Sequence, residues 1–287
     1  MTCSELVLSI LIGLFTTVVG ILSALFIERQ RRPWLSIDTG ECGYPEKVEE
    51  SKSYYHGPPC TWLHVRIKNP RTPWWIACVY DREPAAGCRA WITFYCGDDS
   101  LWKWLSKPLG WRALAPFHRW NNSSLKRVFE YDMDARWSDT APPEIPKQYK
   151  EGEDRILPKG LQETFDIQPG EESTARLDIV WRARDDDDCY GWNNHNYLYD
   201  DEGDDKKQYR NPKSKLPRGR YIAKVRVITG GREFPDLCIV CNDDDYESFR
   251  LCSIKDERKK KEFKKALLRY DNKRKEEEPR KVLSTCF

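Results

Sequence analysis

Two cysteines at C-x-x-C spacing are the first residues that could do chemistry. Cys238-Ile-Val-Cys241 has the spacing at which thiols bind zinc or exchange with disulfides on a helix or a knuckle. This segment instead alternates like a β-strand, on which residues three apart face opposite sides of the sheet. No second Cys or His pair in the sequence completes a metal site. We therefore expect both thiols to be ordinary strand residues.

An aspartate-rich stretch, residues 185–205, is the second candidate. Asp186-x-Asp188-x-Tyr190-Gly191 resembles the first half of an EF-hand calcium loop, but Tyr197 stands where such a loop needs a bidentate Glu. The pattern therefore favours a solvated loop over a calcium site.

Histidines offer no clearer site. The four of them, His56, His64, His118 and His195, are far apart in sequence and fit no triad or metal pattern. The chain also lacks a phosphate-binding loop, a nucleophile elbow and a dinucleotide fingerprint. We expect no catalytic residue, no metal and no cofactor. The alternative is a metal-dependent enzyme that uses the loop 185–205 and the scattered histidines, and stoichiometric metal in the purified protein would favour it.

The element that must position everything else is an uncharged run from Leu6 to Ile27. As a helix it would measure about 33 Å, enough to cross a hydrocarbon core of about 30 Å. The preceding residues, MTCSE, contain no Lys or Arg, and the run does not end in the small residues that a signal peptidase requires. We therefore predict an uncleaved transmembrane anchor in contact with membrane lipid.

The flanks of this run predict its orientation. Arg29, Arg31 and Arg32 follow it, then Trp34, while no basic residue precedes it. Lys and Arg prefer the cytoplasmic side of a membrane, and Trp prefers the interface. The 11 cysteines are odd in number and scattered, which is typical of a reduced compartment. We predict a single-pass membrane protein whose soluble domain is cytoplasmic.

Small residues recur along the predicted membrane helix at spacings that allow close helix packing. They are Ser9, Gly13, Thr17, Gly20 and Ala24. A homodimer through this helix is one interpretation. The other is that such residues are simply common in membrane spans.

The rest of the chain predicts a mainly β fold. Period-two alternation marks strands that Gly, Pro and Asn separate, over residues 34–39, 61–69, 88–95, 173–183, 221–228 and 234–241, and more weakly over 126–137. In the strand 173–183 the alternation puts Trp181 inward and Arg182 outward. A charged helix follows at the C-terminus, with Ser253 and Asp256 as a capping-box-like start and Phe263, Leu267 and Tyr270 on one stripe.

Two sequence segments resemble immunoglobulin-like β-sandwiches. Leu216-x-x-Gly219-x-Tyr221, before an alternating strand, is similar to the corner where a Tyr hydroxyl bonds to the backbone. Residues 65–69 and 88–94 resemble the second and third strands of prokaryotic adhesion-type sandwich modules, and the whole resembles single-pass prokaryotic proteins that join one N-terminal span to such a sandwich. The resemblance implies an immunoglobulin-like fold and almost nothing about activity.

These observations divide the chain into an anchor with its basic flank (1–33), a β-sandwich (34–243) with an insertion at about 98–160, and a charged helix and tail (244–287). The insertion begins with tryptophans and basic residues typical of a membrane-surface or partner contact. The predicted contact residues are Trp102, Lys103, Trp104, Lys107, Trp111, Arg112, Arg119 and Trp120. The alternative is that these rings cover an open end of the sandwich.

The function that follows is a membrane-tethered, non-enzymatic binding or scaffolding module for an unidentified protein partner. The nearly balanced charge, 48 Lys and Arg against 46 Asp and Glu, gives no specific nucleic-acid signal. Besides the enzyme named above, the alternative is an extracellular module that binds glycans with exposed tryptophans, and orientation in the membrane distinguishes it.

Overall fold

Two antiparallel β-sheets form most of the described protein. The computed structural model describes residues 3–39, 44–48, 58–77, 82–106, 125–137, 164–170, 175–193, 196, 209–243, 245–254 and 256–284. The α-helices whose bounds it gives are α1 (Cys3–Arg31), α2 (Trp74–Ala77), α3 (Asp99–Ser106) and α4 (Glu257–Ser284).

The first sheet, sheet I, has the strands β1 (Ser36–Asp38), β2 (Tyr44–Val48), β3 (Cys60–Lys68), β8 (Arg176–Ala183), β9 (Cys189–Gly191) and β10 (Lys215–Leu216). Their order is β1-β3-β8-β9-β10, with β2 also paired to β3. The second, sheet II, has the strands β4 (Ala85–Gly97), β5 (Leu125–Arg127), β6 (Met133–Asp134), β7 (Phe165–Ile167), β11 (Gly219–Thr229), β12 (Arg232–Asn242) and β13 (Arg250–Ser253). Their order is β13-β12-β11-β4-β5, with β6 and β7 also paired to β4.

The strand pairing matches that of an immunoglobulin-like sandwich, and the predicted mainly β fold class is confirmed. Strand β3 pairs with β8, and β11 lies between β4 and β12. These are the B–E and C–F–G pairings of such sandwiches. Strand β9 lies beside β8, at the edge where a D strand would be, but it follows β8 in the chain.

The core lies between the two sheets. Side chains from β3 and β8 of sheet I pack against side chains from β4, β11 and β12 of sheet II. The side chains that are at most 1% exposed include Leu63, Val65, Ile92, Phe94, Leu177, Val225 and Val240. Burial of this apolar surface is the main favourable contribution to folding.

A β-bulge in β8 changes which side chains face this core. The pairing moves from His64↔Asp178 to Leu63↔Val180, so Ile179 has no partner on β3. A one-residue shift moves every later side chain to the opposite face. Trp181 therefore joins a cluster outside the main core, and Arg182 is only 3% exposed. The predicted directions of these two side chains are wrong for this reason.

Arg182 ties the two sheets together at one end of the sandwich. Its Nη1 donates to Asn242 Oδ1 at 2.8 Å and to the Asp245 carbonyl at 3.3 Å. Asn242 is the last residue of β12 in sheet II, and Asp245 follows it in the chain. Its Nε donates to the Asp186 carbonyl at 2.9 Å. A buried guanidinium needs such partners, because an unpaired charge in the interior costs several kcal/mol.

The outer face of sheet II is covered by α4 and α3. Phe263 and Leu267 are buried there in a cluster with residues of β4, β11 and β12, and Tyr270 packs beside them, which confirms the predicted apolar stripe. The Asp256 carboxylate caps α4 by accepting from the backbone N–H groups of its first turn. The capping-box prediction is half right, because Ser253 ends strand β13 instead.

Ion pairs between lysines and aspartates also connect α4 to sheet II. The ammonium of Lys260 lies 2.8 Å from Asp236, and that of Lys224 lies 2.8 Å from Asp271. The other carboxylate oxygen of Asp271 accepts from the Tyr95 hydroxyl at 2.8 Å. These groups are mostly removed from solvent, so the pairs fix the position of α4 more firmly than surface pairs do.

The corner before β11 contains the hydrogen bond that the resemblance implies. The Tyr221 hydroxyl donates to the Pro217 carbonyl at 2.6 Å, and Leu216 is fully buried. Gly219 has a φ of +155°, which residues with a side chain rarely adopt.

We expect Tyr221→Phe to lower the free energy of unfolding by about 1–2 kcal/mol, because it leaves a partly buried carbonyl without its donor. The matched control is Tyr131→Phe, since the Tyr131 hydroxyl also donates to a backbone carbonyl, that of Lys213 at 3.0 Å, but is exposed. Thermal unfolding of the purified chain measures both. Equal and negligible effects would contradict a structural role for the corner.

Candidate membrane-contact site

Helix α1 is long and apolar enough to cross a membrane over Leu8–Arg31. None of that span is buried against the rest of the protein. Its small residues Ser9, Gly13, Thr17, Gly20 and Ala24 are all exposed. A Cβ added at Gly13 or Gly20 would meet nothing within 4 Å, so these positions leave room for a second helix.

The chain that leaves α1 is fastened to the sandwich by Asn69. This residue follows β3 and is 1% exposed. Its Oδ1 accepts from the Trp34 backbone N–H at 3.4 Å, and its Nδ2 donates to the carbonyls of Glu83 and Ile167 at 3.1 and 3.3 Å. One carboxamide thus joins the exit of α1, the β3–β4 connection and β7.

The last turn of α1 also contacts the β3–β4 connection directly. The Glu83 N–H donates to the Arg31 carbonyl at 2.8 Å, which satisfies one of the carbonyls that a helix C-terminus leaves without an internal partner. The side chains of the same two residues form an ion pair at 3.6 Å, half exposed and therefore weak by itself. These contacts define the end of the sandwich at which α1 enters, where β3 ends and β4 begins.

Trp74 is the most exposed large apolar side chain among the described residues of this end. It begins α2, within the β3–β4 connection, and is 87% exposed. It is the fifth residue after Asn69, a reach of at most about 17 Å along the chain. Trp34, also at this end, is 58% exposed. Sequence reasoning missed Trp74, although its position between two strands and its large apolar ring were visible signals.

The predicted contact residues of the insertion lie elsewhere where the structure describes them. Trp102 and Trp104 are on α3, partly buried against the cluster beneath α4. The Lys259 ammonium donates to the Trp104 carbonyl at 2.8 Å and lies over its ring. Lys103 is exposed. The remaining residues, Lys107, Trp111, Arg112, Arg119 and Trp120, lie outside the described residues.

Trp102 and Trp104 therefore help to cover the outer face of sheet II, whereas the alternative prediction placed these rings over an open end of the sandwich. The insertion also begins with a helix, where no regular element was predicted. Leu101, on this helix, is fully buried in the cluster on the outer face of sheet II.

The aspartates of the predicted acidic loop are paired with basic groups. Asp185 and Asp186 lie 2.5 and 3.4 Å from the guanidinium of Arg210, and Asp188 lies 2.5 Å from the Lys215 ammonium. Carboxylates neutralised in this way are poor cation ligands. Residues 194–195 and 197–205 of this stretch lie outside the described part of the chain.

The Tyr190 hydroxyl also engages this group of charges. It donates to Asp186 at 2.9 Å. Burial, together with the neighbouring carboxylate, raises the pKa of this tyrosine. The phenol therefore stays protonated and serves as a donor to the loop.

No group of three or more His, Cys, Asp or Glu side chains that could hold a metal ion occurs among the described residues. His64 is buried on β3, and the other three histidines lie outside that part of the chain. Cys238 is fully buried in the core and Cys241 is partly exposed, so the C-x-x-C thiols do face opposite sides of β12, as predicted.

The comparisons give no family for this chain. Neither the protein-family models, nor the curated proteins, nor the solved structures contain a significant match to it. The class of protein is therefore the one that the structure itself defines, a mainly β, two-sheet domain behind one apolar N-terminal helix.

Proposed function

We propose that this chain is a membrane-tethered, non-enzymatic binding module whose sandwich is held on the cytoplasmic surface of the bilayer. The observation that carries the proposal is the fastening of the α1 exit to the sandwich by Asn69 and Glu83. A domain joined to its anchor in this way has little freedom to move away from the membrane, so its membrane-proximal end becomes a lipid-contact surface.

The chemistry of this end suits the headgroup region. Indole rings favour the membrane interface, and Arg side chains attract anionic lipid. Trp34 and Trp74 supply exposed rings, while Arg29, Arg31 and Arg32 supply exposed charge. Membrane contact by the insertion is less well supported, because Trp102 and Trp104 pack in the cluster beneath α4.

Two features support a binding role over catalysis. The described carboxylates of the acidic loop are engaged by Arg210 and Lys215, and the buried Arg182 is engaged by backbone and amide oxygens. A protein partner then binds a face of the sandwich away from the membrane.

Lipid contact by Trp74 can be measured on the full-length chain in anionic lipid nanodiscs. A fluorescent amino acid placed at position 74 should be quenched strongly by lipids that carry a quencher in the upper acyl chain. The same residue at position 131 is the control, because Tyr131 is exposed but lies beside Lys213, toward the opposite end of the sandwich. Equally weak quenching at both positions would contradict the contact.

Orientation is tested with a membrane-impermeant thiol reagent on intact cells. Suitable reporters are Cys96, Cys241 and Cys252, which are partly exposed, in a variant that lacks Cys3; Cys189 is fully buried and cannot serve. A cytoplasmic sandwich should be labelled only after the cells are permeabilised. Labelling of intact cells would place the domain outside and favour the glycan-binding alternative.

A further inference from the structure

A pair of thiols on the outer face of sheet II takes no part in the membrane contact. The sulfur atoms of Cys241 on β12 and Cys252 on β13 lie 3.4 Å apart. Both residues are partly exposed. In sequence Cys241 belongs to the C-x-x-C motif, but its spatial neighbour is a cysteine of the next strand rather than Cys238.

The strand register explains the pairing. Cys241 lies opposite Arg250 on β13, and Ile239 lies opposite Cys252, so the two cysteines are diagonal neighbours on one face. Diagonal neighbours on a sheet are farther apart than directly opposite ones, at about 7–8 Å, but these two side chains approach each other closely enough for their sulfurs to be in contact. A disulfide needs the sulfurs at about 2.0 Å, so the two sulfurs, now 3.4 Å apart, must move closer together for the bond to form.

Two guanidinium groups flank the pair. Arg220 on β11 and Arg250 on β13 both lie opposite Cys241, one on each side. Positive charge beside a thiol favours the thiolate, which is the reactive form. The hydrogen bond from Cys241, and then the charge of Arg250, lower the pKa of Cys252, whereas that hydrogen bond and burial raise the pKa of Cys241.

We propose that Cys241 and Cys252 form a reversible disulfide site that reacts with low-molecular-weight disulfides such as glutathione disulfide. The Cys252 thiolate attacks one glutathione sulfur, and glutathione leaves as a thiolate. The Cys241 thiol then loses its proton to solvent and attacks the Cys252 sulfur, which expels the second glutathione thiolate. The protein loses two protons and two electrons, and glutathione disulfide is reduced to two thiols.

The bond would act on the edge of sheet II. Strand β13 pairs only with β12 in the described sheet, and α4 starts at Glu257, a few residues after β13 ends. A covalent link between the two strands restricts opening of this edge and steadies the start of α4. In a cytoplasm kept reducing by glutathione, the link would form only when the thiol pool is oxidised.

The test is performed on the full-length protein in nanodiscs, equilibrated in glutathione buffers of increasing oxidised fraction, quenched with an alkylating reagent and mapped by mass spectrometry. We expect a linked peptide pair that contains Cys241 and Cys252, with the mass of two hydrogens lost, and its reversal by excess reduced glutathione. Hydrogen exchange of residues 250–253 should slow in the oxidised form.

Single variants distinguish this mechanism from general oxidation. Cys241→Ser should trap glutathione on Cys252, Cys252→Ser should leave Cys241 largely unmodified, and Cys96→Ser should behave like the parent chain. Serine is close to cysteine in size, so each variant is expected to fold. The disulfide mapping of the parent chain is a separate measurement that does not depend on the variants. The proposal is overturned if both thiols stay alkylated in the most oxidising buffer, or if either pairs with another cysteine instead.

Discussion

The carboxamide of Asn69 holds together the three segments on which the arrangement of this protein depends. It accepts from the chain that leaves α1 and donates to the β3–β4 connection and to β7, all within 3.4 Å and almost without solvent. Because an unsatisfied buried polar group costs about 1–3 kcal/mol, these partners stay together. Helix α1 is therefore joined firmly to the fold at one particular end of the sandwich.

The opposite end of the sandwich depends on a different buried group. Arg182 reaches from sheet I to Asn242 and to the backbone beyond β12, and the aspartates of the adjacent hairpin are matched by Arg210 and Lys215. Asp185, Asp186 and Asp188, which in sequence suggested part of a cation site, thus form ion pairs with basic side chains of the fold. Both ends of the sandwich are held by hydrogen-bonded polar groups, and the apolar core lies between them.

Much of the fold could be predicted from sequence, because alternation is a direct consequence of strand geometry. The strands around Val65, Ile92 and Val225 follow from it. The bulge at Ile179 could not be predicted, since it depends on the partner strand, and it reversed the direction of Trp181. Strand β13, residues 250–253, was also missed, because four residues are too few to show a period. The contact between Cys241 of the C-x-x-C motif and Cys252 could therefore not be predicted either.

The membrane-contact site illustrates another limit of sequence reasoning. Composition identifies tryptophans but not their burial. Trp104 packs over sheet II next to Lys259, whereas Trp74, in the β3–β4 connection, is 87% exposed. The contacts of Asn69 show which end of the sandwich the chain from α1 enters. Such contacts join residues far apart in the chain, and the pattern of neighbouring residues in the sequence does not predict them.

A rigid junction between α1 and the sandwich underlies the proposed membrane contact, and the distance between the two tests it most directly. Spin labels at Leu14 on α1 and Glu233 at the start of β12, introduced as non-natural amino acids because the chain has 11 cysteines, would be measured by pulsed electron paramagnetic resonance in nanodiscs. A rigid junction predicts one narrow distance distribution that broadens in Asn69→Ala. A broad distribution in the unaltered chain would contradict it, because the sandwich would then move freely about its anchor.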